Sequence, residues 1–96
     1  MSDDATIAAE RITTLQDRAR EAARAGNFDR SRKYVRLAKR LAQRQRLSLP
    51  QKFDRFVCDG CDVYLLPDRN ARVRTQVGHV VVTCDCGTQM RYSYDY

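Results

Sequence analysis

With 96 residues, the chain has room for one small domain and an extension, but not for a deep catalytic cleft beside a core. Its formal net charge is +6, from 18 Lys and Arg against 12 Asp and Glu, and no apolar stretch approaches membrane-spanning length. Asp3 and Asp4 stand near the N-terminus without the apolar run of a secretory segment. These features favour a soluble, cytoplasmic protein and argue against a membrane protein.

The positive charge lies almost entirely in the middle of the chain. Residues 1–29 carry a net charge of −2, residues 30–55 of +9, and residues 56–96 of −1. Fifteen of the 18 cations are arginine, whose planar guanidinium can bind two phosphate oxygens at once. Genome composition can produce the same bias, so the position of the cations is more informative than their type.

The first half of the chain predicts two amphipathic helices. The first runs from about Thr6 to Ala25, where apolar residues recur at steps of three and four. The apolar residues of this stripe are Ala8, Ile12, Leu15, Ala19 and Ala22. Gly26-Asn27 can adopt the left-handed conformation that ends a helix. A second helix is predicted from Asp29, a good N-cap residue, to about Leu47, before Pro50.

The second predicted helix has an apolar side and a basic side. The apolar side contains Tyr34, Leu37, Ala38, Leu41 and Ala42, and the basic side contains Arg32, Lys33, Arg36, Lys39, Arg40, Arg44 and Arg46. Such a face, with no acidic residue among its cations, is typical of helices that lie along a nucleic-acid backbone. We therefore predict RNA binding by Arg32, Lys33, Arg36, Lys39, Arg40 and Arg44. An ordinary solvated face is the alternative.

The predicted helix pair buries little surface by itself. Its alanine-rich seam permits close approach, but at about 25 cal/mol per Å² it offsets the cost of chain ordering with little to spare. We therefore expect the pair to dock on a partner protein. The residues predicted to bind that partner are Ile12, Leu15, Tyr34, Leu37 and Leu41. The alternative is that the helices dock on the C-terminal half of the same chain.

Four cysteines predict a metal site in the C-terminal half. Cys58 and Cys61 are followed after 22 residues by Cys84 and Cys86, and two close pairs can direct four thiolates at one tetrahedral zinc ion. The second pair is one residue shorter than usual, which leaves His79 or Asp85 as a substitute fourth ligand. Two disulfides, a redox pair and unrelated buried thiols are the other interpretations.

The remaining residues of this half predict short strands. Tyr64–Leu66 is predicted to be a returning strand and Pro67–Asn70 a turn; further strands are predicted over Ala71–Val77, Val80–Val82 and Met90–Tyr94. The predicted fold is a small α+β protein, with a two-helix hairpin over residues 1–49 and a three-stranded antiparallel zinc ribbon over residues 50–96.

A second RNA-binding surface is predicted on the ribbon. Arg72, Arg74 and Arg91 can contact phosphates, and Tyr92 and Tyr94 can stack on unpaired bases. The alternative is that the tyrosines complete the small core. We identify no catalytic constellation, because a site with four thiolates has no open position for water and His79 is the only histidine.

Taken in order, these motifs resemble the archaeal ribonuclease P component 4 family, the counterpart of the eukaryotic RNase P zinc-ribbon subunit. The resemblance spans nearly the whole chain. Its motifs are Glu10-Arg11-Ile12 with Leu15, Arg32-Lys33-Tyr34-Val35-Arg36-Leu37-Ala38-Lys39-Arg40, Leu49-Pro50, Cys58-x-x-Cys61, Asn70-Ala71-Arg72-Val73-Arg74, Thr83-Cys84 to Gly87, and Arg91-Tyr92-Ser93-Tyr94. The sequence departs from the family at the shortened Cys84-x-Cys86 and at Ser93, where the family often has proline.

The resemblance implies a non-catalytic subunit of the ribonuclease P endonuclease, whose RNA removes the 5′ leader from precursor tRNA. It implies zinc on Cys58, Cys61, Cys84 and Cys86. It also implies that helices 6–25 and 29–47 dock on another RNase P protein subunit, and that this pair binds the RNase P RNA, with precursor tRNA contacted only indirectly. The main alternative is a zinc-ribbon adaptor of a transcription complex, and a third is a thiol redox protein.

Overall fold

The computed structural model describes residues 3–93, which form a helical hairpin followed by a three-stranded sheet. The helices are α1 (Asp3–Arg24), α2 (Phe28–Arg44) and the short α3 (Gln51–Arg55), and the strands are β1 (Ala71–Gln76), β2 (His79–Cys84) and β3 (Gln89–Ser93). The sheet is antiparallel with the order β1-β2-β3. This architecture confirms the predicted fold class. Tyr94, the predicted end of the last strand, lies outside the described residues.

Both long helices end in the same hydrogen-bond pattern. At the end of α1, Gly26 has φ +80°, and the Asn27 N–H donates to the Ala22 carbonyl at 2.8 Å. At the end of α2, Arg46 has φ +54°, and the Leu47 N–H donates to the Ala42 carbonyl at 2.8 Å. These are Schellman closures, in which a left-handed residue turns the chain back onto the last carbonyls. Helix α2 therefore ends before Leu47, earlier than predicted.

The start of α2 also differs slightly from the prediction. Asn27 is the N-cap, and its Oδ1 accepts a hydrogen bond from the Arg30 N–H at 3.3 Å. Asp29 lies in the first turn instead, where a negative charge still interacts favourably with the helix dipole. The position of the predicted helix was thus correct, but its N-cap lies two residues earlier than predicted.

The hairpin packs on the ribbon of the same chain. This was the alternative to docking on a partner protein. Ile12 and Val35 from the helices share one hydrophobic core with Phe53, Val57 and Tyr64 from the C-terminal half. Ile12 was predicted to bind a partner, but it is only 1% exposed. Its side chain is therefore part of the hydrophobic core and stabilises this chain.

A buried serine joins both helices to the ribbon. Ser31 is 0% exposed; its hydroxyl donates to the Ala19 carbonyl of α1 at 2.9 Å and accepts from the Tyr64 N–H at 3.1 Å. A buried hydroxyl needs such partners, because an unsatisfied polar group is costly away from water. One side chain of α2 thereby holds α1 and the ribbon at a fixed distance.

The predicted strand Tyr64–Leu66 was wrong. Tyr64 makes only an isolated bridge with Val57, and the side chain of Asn70 takes the place of a partner strand. Asn70 Oδ1 accepts from the Leu66 N–H at 2.7 Å, and Asn70 Nδ2 donates to the Tyr64 carbonyl at 3.0 Å. The Asn70 carbonyl accepts from the Asp85 N–H at 3.0 Å. Asn70 thus fixes this loop against the second cysteine pair.

Within residues 3–93, no helix combines the length and the apolar character needed to cross a bilayer.

Candidate metal centre and nucleic-acid interface

The four cysteines converge on one point between two turns. Their Sγ atoms all lie within 4.8 Å of one another. Cys58 Sγ lies 3.5 Å from Cys86 Sγ, and Cys61 Sγ lies 3.7 Å from Cys84 Sγ. Four sulfurs about 2.3 Å from a tetrahedral zinc would be about 3.8 Å apart, whereas a disulfide needs about 2.05 Å. The thiols are free, and their spacing fits a metal ion rather than disulfides.

The cysteine turns supply hydrogen bonds to the sulfurs. The N–H groups of Gly60 and Cys61 donate to Cys58 Sγ at 3.3 and 3.4 Å, and Thr88 Oγ1 lies 3.2 Å from Cys86 Sγ. Such contacts orient thiolate ligands and stabilise their charge. The cluster therefore has four candidate ligands and also the hydrogen bonds to sulfur that are typical of a metal centre.

Burial and hydrogen bonding act in opposite directions on the thiols. Burial raises the pKa of Cys58 and of Cys84. Hydrogen bonds from the side chain and backbone of Thr88 lower the pKa of the exposed Cys86 to about 6. Burial therefore opposes ionisation of Cys58 and Cys84 in the absence of a metal ion. A bound metal ion would stabilise the two thiolates and so deprotonate both side chains.

The shortened second pair still completes the cluster. Gly87 has φ +97°, which lets the chain turn sharply enough to bring Cys86 to the other three thiols. His79 is at the opposite end of β2 from Cys84, and its Nε2 lies 2.7 Å from Gln76 Oε1. Asp85 is exposed and stands outside the cluster. Neither substitute ligand is therefore part of the site.

One row of cations on α2 lies beside the first cysteine pair. Arg36 Nε donates to Asp62 Oδ2 at 3.2 Å, and Lys39 Nζ donates to Asp62 Oδ1. Arg32 forms a hydrogen bond with Cys61, which raises the pKa of Arg32, and also pairs with Asp29 at 2.7 Å. These three residues follow the i, i+4, i+7 spacing of one helix stripe. We call Arg32, Arg36 and Lys39 the knuckle-side row.

The carboxylate of Asp62 is the centre of this contact. Burial by itself would raise its pKa, but hydrogen bonds and charge from Lys39 and Arg36 outweigh burial and lower the pKa below its ordinary value. Asp62 has φ +66°, a left-handed conformation that Asp and Asn tolerate better than most residues. No local sequence signal could reveal this pairing, because Asp62 is 26 residues from Arg36.

The other predicted RNA-binding residues of α2 form an exposed row. Lys33, Arg40 and Arg44 are exposed, and none of them has a carboxylate at salt-bridge distance among the side chains of residues 6–50 and 53–93. We call these three residues the free row. The single basic strip predicted from the sequence is thus two rows, of which only the free row is fully available to an external phosphate.

Three of the predicted partner-binding residues line one groove between α1 and α2. The groove has a volume of about 500 Å³ and is lined by Arg11, Thr14, Leu15, Leu37, Arg40, Leu41 and Arg44. Leu37 is 48% exposed, which is high for a leucine in a folded chain. Tyr34 lines a separate depression nearer the hairpin loop, beside Arg18 and Arg30. Arg11 was not predicted as a site residue.

The predicted Arg and Tyr surface of the ribbon is split between the two faces of the sheet. Arg72, Arg74 and Arg91 line a depression of about 570 Å³ on one face. Tyr92 lies on the other face, where it lines a separate apolar depression with Phe56. Neighbouring residues on a strand point to opposite faces, so Arg91 and Tyr92 cannot act together. The prediction that Tyr92 shares one surface with these arginines was therefore wrong.

Comparisons with known proteins agree on one family. Residues 11–87 match the family described as the RNAse P Rpr2/Rpp21/SNM1 subunit domain. The chain is 67% identical over 90 residues to Ribonuclease P protein component 4 of Halobacterium salinarum, which covers 94% of this chain and 97% of the relative. It is 46% identical over 89 residues to the protein of that name from Methanocaldococcus jannaschii, with coverage of 88% and 70%.

Two solved structures have the same fold. A chain in the cryo-EM structure of archaeal Ribonuclease P with mature tRNA matches with a TM-score of 0.87 and 44% identity, covering 92% of this chain and 77% of that one. The structure described as Pfu Rpp21 matches with a TM-score of 0.66 and 36% identity, covering 91% and 99%. These matches confirm the resemblance seen in the sequence and favour it over the transcription and redox alternatives. The chain belongs to the ribonuclease P Rpr2/Rpp21/SNM1 subunit family.

Proposed function

We propose that this protein is a non-catalytic subunit of ribonuclease P, which binds and stabilises the catalytic RNA together with a second protein subunit. The RNA removes the 5′ leader of precursor tRNA, and we place the protein with it in the cytoplasm. The observation that carries the proposal is the match of nearly the whole chain, in sequence and fold, to a chain of an archaeal RNase P structure. Precursor tRNA is contacted through the assembly rather than by this chain alone.

The metal centre has a structural role in this proposal, and zinc is the metal that suits four thiolates best. Cys58, Cys61, Cys84 and Cys86 would hold it, and their set leaves no position for a reactive water. The ion would join the first cysteine pair, which contacts α2 through Asp62, to the second pair at the end of β2. The ion would therefore add to the shared core and to Ser31 in holding the hairpin on the ribbon.

The free row on α2 supports RNA binding. Lys33, Arg40 and Arg44 have no internal carboxylate partner within the described residues, so their charges are available to phosphates. In the knuckle-side row, Arg36 uses Nε for Asp62 and keeps its two terminal nitrogens for a phosphate oxygen. We therefore expect the free row to contribute most of the salt-dependent affinity of the helix and the knuckle-side row to contribute less.

The groove on the hairpin supports docking of the second protein subunit. Leu15, Leu37 and Leu41 form its apolar floor, and Arg11, Arg40 and Arg44 stand at its edges. Such a groove suits a segment with apolar anchor residues flanked by carboxylates. Arg40 and Arg44 belong to both surfaces, so RNA and the protein partner would meet along this edge of α2.

The function is tested by identifying the RNA that copurifies with the tagged full chain from native cells. A single predominant RNA with the secondary structure of RNase P RNA is the expected result. Recovery of promoter DNA and polymerase subunits instead would refute the proposal and favour the transcription adaptor.

Partner docking is tested with Leu37→Gln and the matched control Val73→Gln. The two side chains are 48% and 47% exposed, and Val73 lies on the sheet away from the groove. Both changes should leave thermal stability within about 0.5 kcal/mol of the wild type, as is usual for exposed positions. Only Leu37→Gln should weaken the heterodimer, measured by calorimetry with the partner subunit. Equal effects of the two variants would contradict the proposed groove.

A further inference from the structure

The two cysteine turns contain no cation of their own. Residues 58–62 and 84–88 include the aspartates Asp59, Asp62 and Asp85, but no Lys or Arg. Four thiolates around a divalent zinc ion leave a net negative charge, and these carboxylates add to it. An anionic cluster that is partly removed from water is costly unless cations lie close to it. Compensating charge within the chain therefore has to come from another element.

Helix α2 supplies this charge through the knuckle-side row. Arg36 Nε donates to Asp62 Oδ2 at 3.2 Å, and Lys39 Nζ donates to the other oxygen of the same carboxylate. Arg32, one helical turn before Arg36, forms a hydrogen bond with Cys61 itself. Arg32 and Lys39 are half-buried, so water and salt screen their charges less than those of the exposed cations of α2.

The acidic partner of Arg32 leaves this charge available to the cluster. Arg32 Nη1 lies 2.7 Å from Asp29 Oδ1, but the side chain of Asp29 is 90% exposed. An ion pair to such an exposed carboxylate is weak, because water screens it. Asp29 therefore holds the guanidinium in place without cancelling its charge at Cys61.

Asp62 transmits the contact with α2 to the cysteine turn. The Asp62 N–H donates to the Cys58 carbonyl at 3.0 Å, and the Cys58 N–H donates to the Val63 carbonyl at 3.0 Å. These two hydrogen bonds close the turn that carries Cys58 and Cys61, and the left-handed conformation of Asp62 is part of it. Because α2 holds both carboxylate oxygens of Asp62, it restrains the residue that sets the direction of this cysteine pair.

We propose that Arg32, Arg36 and Lys39 are positioning residues of the metal centre, which compensate the charge of the thiolate cluster and hold the first cysteine turn in its metal-binding conformation. The sequence alone predicted RNA binding for these three residues, so the inference assigns them a role inside the protein. It rests on the structural zinc ion of the proposed function and depends neither on RNA nor on the protein partner. The affinity for zinc is thus set partly by a helix that contributes no ligand.

The test compares Arg32→Gln with the matched control Arg30→Gln in the full chain. Both changes remove one guanidinium from α2, but Arg30 is exposed and has no carboxylate at salt-bridge distance among the side chains of residues 6–50 and 53–93. Zinc affinity is measured by competition with a chromophoric chelator at low and at high salt. At low salt, Arg32→Gln should lower the affinity about 10-fold, as expected for a contact that supports a ligand. The control should stay within about 2-fold of the wild type, because its charge is screened.

The salt dependence separates a charge effect from a packing defect. The difference between Arg32→Gln and the wild type should shrink at high salt, since ions screen the lost charge, whereas a packing defect would persist. If Arg32→Gln does not fold, Lys39→Gln should lower zinc affinity in the same salt-dependent way, through Asp62. Equal affinities of Arg32→Gln and Arg30→Gln, or a loss that does not change with salt, would overturn the proposal. Failure of the proposed zinc ion gives a different result, in which the wild-type chain itself binds no zinc.

Discussion

The hydroxyl of Ser31 should contribute more to stability than any exposed polar group of the chain. Ser31→Ala removes the acceptor of the Tyr64 N–H and the donor to the Ala19 carbonyl, at a position that is 0% exposed. Water cannot replace a partner there, so the variant bears the desolvation cost of a buried unsatisfied group, about 1–3 kcal/mol. For a domain of this size, about 1 kcal/mol lowers Tm by about 4–8 °C, so we expect a decrease of about 4–24 °C.

The assay is thermal unfolding by circular dichroism with zinc in constant excess, because a metal that binds only the folded state raises Tm with its concentration. Ser48→Ala is the matched control, since Ser48 is exposed and the same hydroxyl is removed. The control should change stability by no more than about 0.5 kcal/mol. If Ser31→Ala has the Tm of the wild type, the hydroxyl does not join the helices to the ribbon and this reasoning is refuted.

Three further predictions concern the metal centre and its contact with α2. Chelation of zinc, or Cys58→Ser, should unfold the region after about residue 53, since structural zinc contributes on the order of 10–16 kcal/mol; a metal-free chain with native NMR dispersion in the ribbon would contradict this. Gly60→Ala should lower zinc affinity about 10–100-fold in competition with a chromophoric chelator, because the added Cβ would lie 2.1 Å from Thr88 Oγ1 and displace the hydroxyl from Cys86. Unchanged affinity would show that Thr88 does not support the site. Asp62→Asn keeps a side chain that tolerates the left-handed backbone but removes the charge shared by Arg36 and Lys39, so it should lower stability by about 1 kcal/mol. Equal denaturant midpoints for the two proteins would assign these cations to solvent.

Local patterns in the sequence predict the helices and the cysteine cluster well. Apolar residues at helical spacing identified the buried side of α1, where Ala8, Ile12 and Ala19 are all buried. Gly26 marked the end of the first helix because glycine adopts the left-handed conformation of a helix end without steric strain. The cysteine spacing identified all four thiols of the cluster, since a metal centre needs a fixed set of ligand types.

Contacts between distant parts of the chain could not be predicted in this way. A serine within a helix carries no signal that Tyr64, 33 residues later, will donate to its hydroxyl. Asparagine is a common residue in turns, yet Asn70 is only 2% exposed. Its side chain makes the hydrogen bonds to Leu66 and Tyr64 that a partner strand would otherwise make. The opposite faces of Arg91 and Tyr92, by contrast, follow from strand alternation and could have been predicted once β3 was assigned.

Reconstitution of precursor-tRNA cleavage tests the central claim most directly. The catalytic RNA and the partner subunit are assayed with and without this chain over a range of Mg²⁺ concentrations. The protein alone should show no cleavage, and its addition should lower the Mg²⁺ concentration needed without moving the cleavage position, because its cations screen phosphates while the RNA performs the chemistry. Identical Mg²⁺ dependence with and without the chain would contradict its role as a stabilising subunit of ribonuclease P.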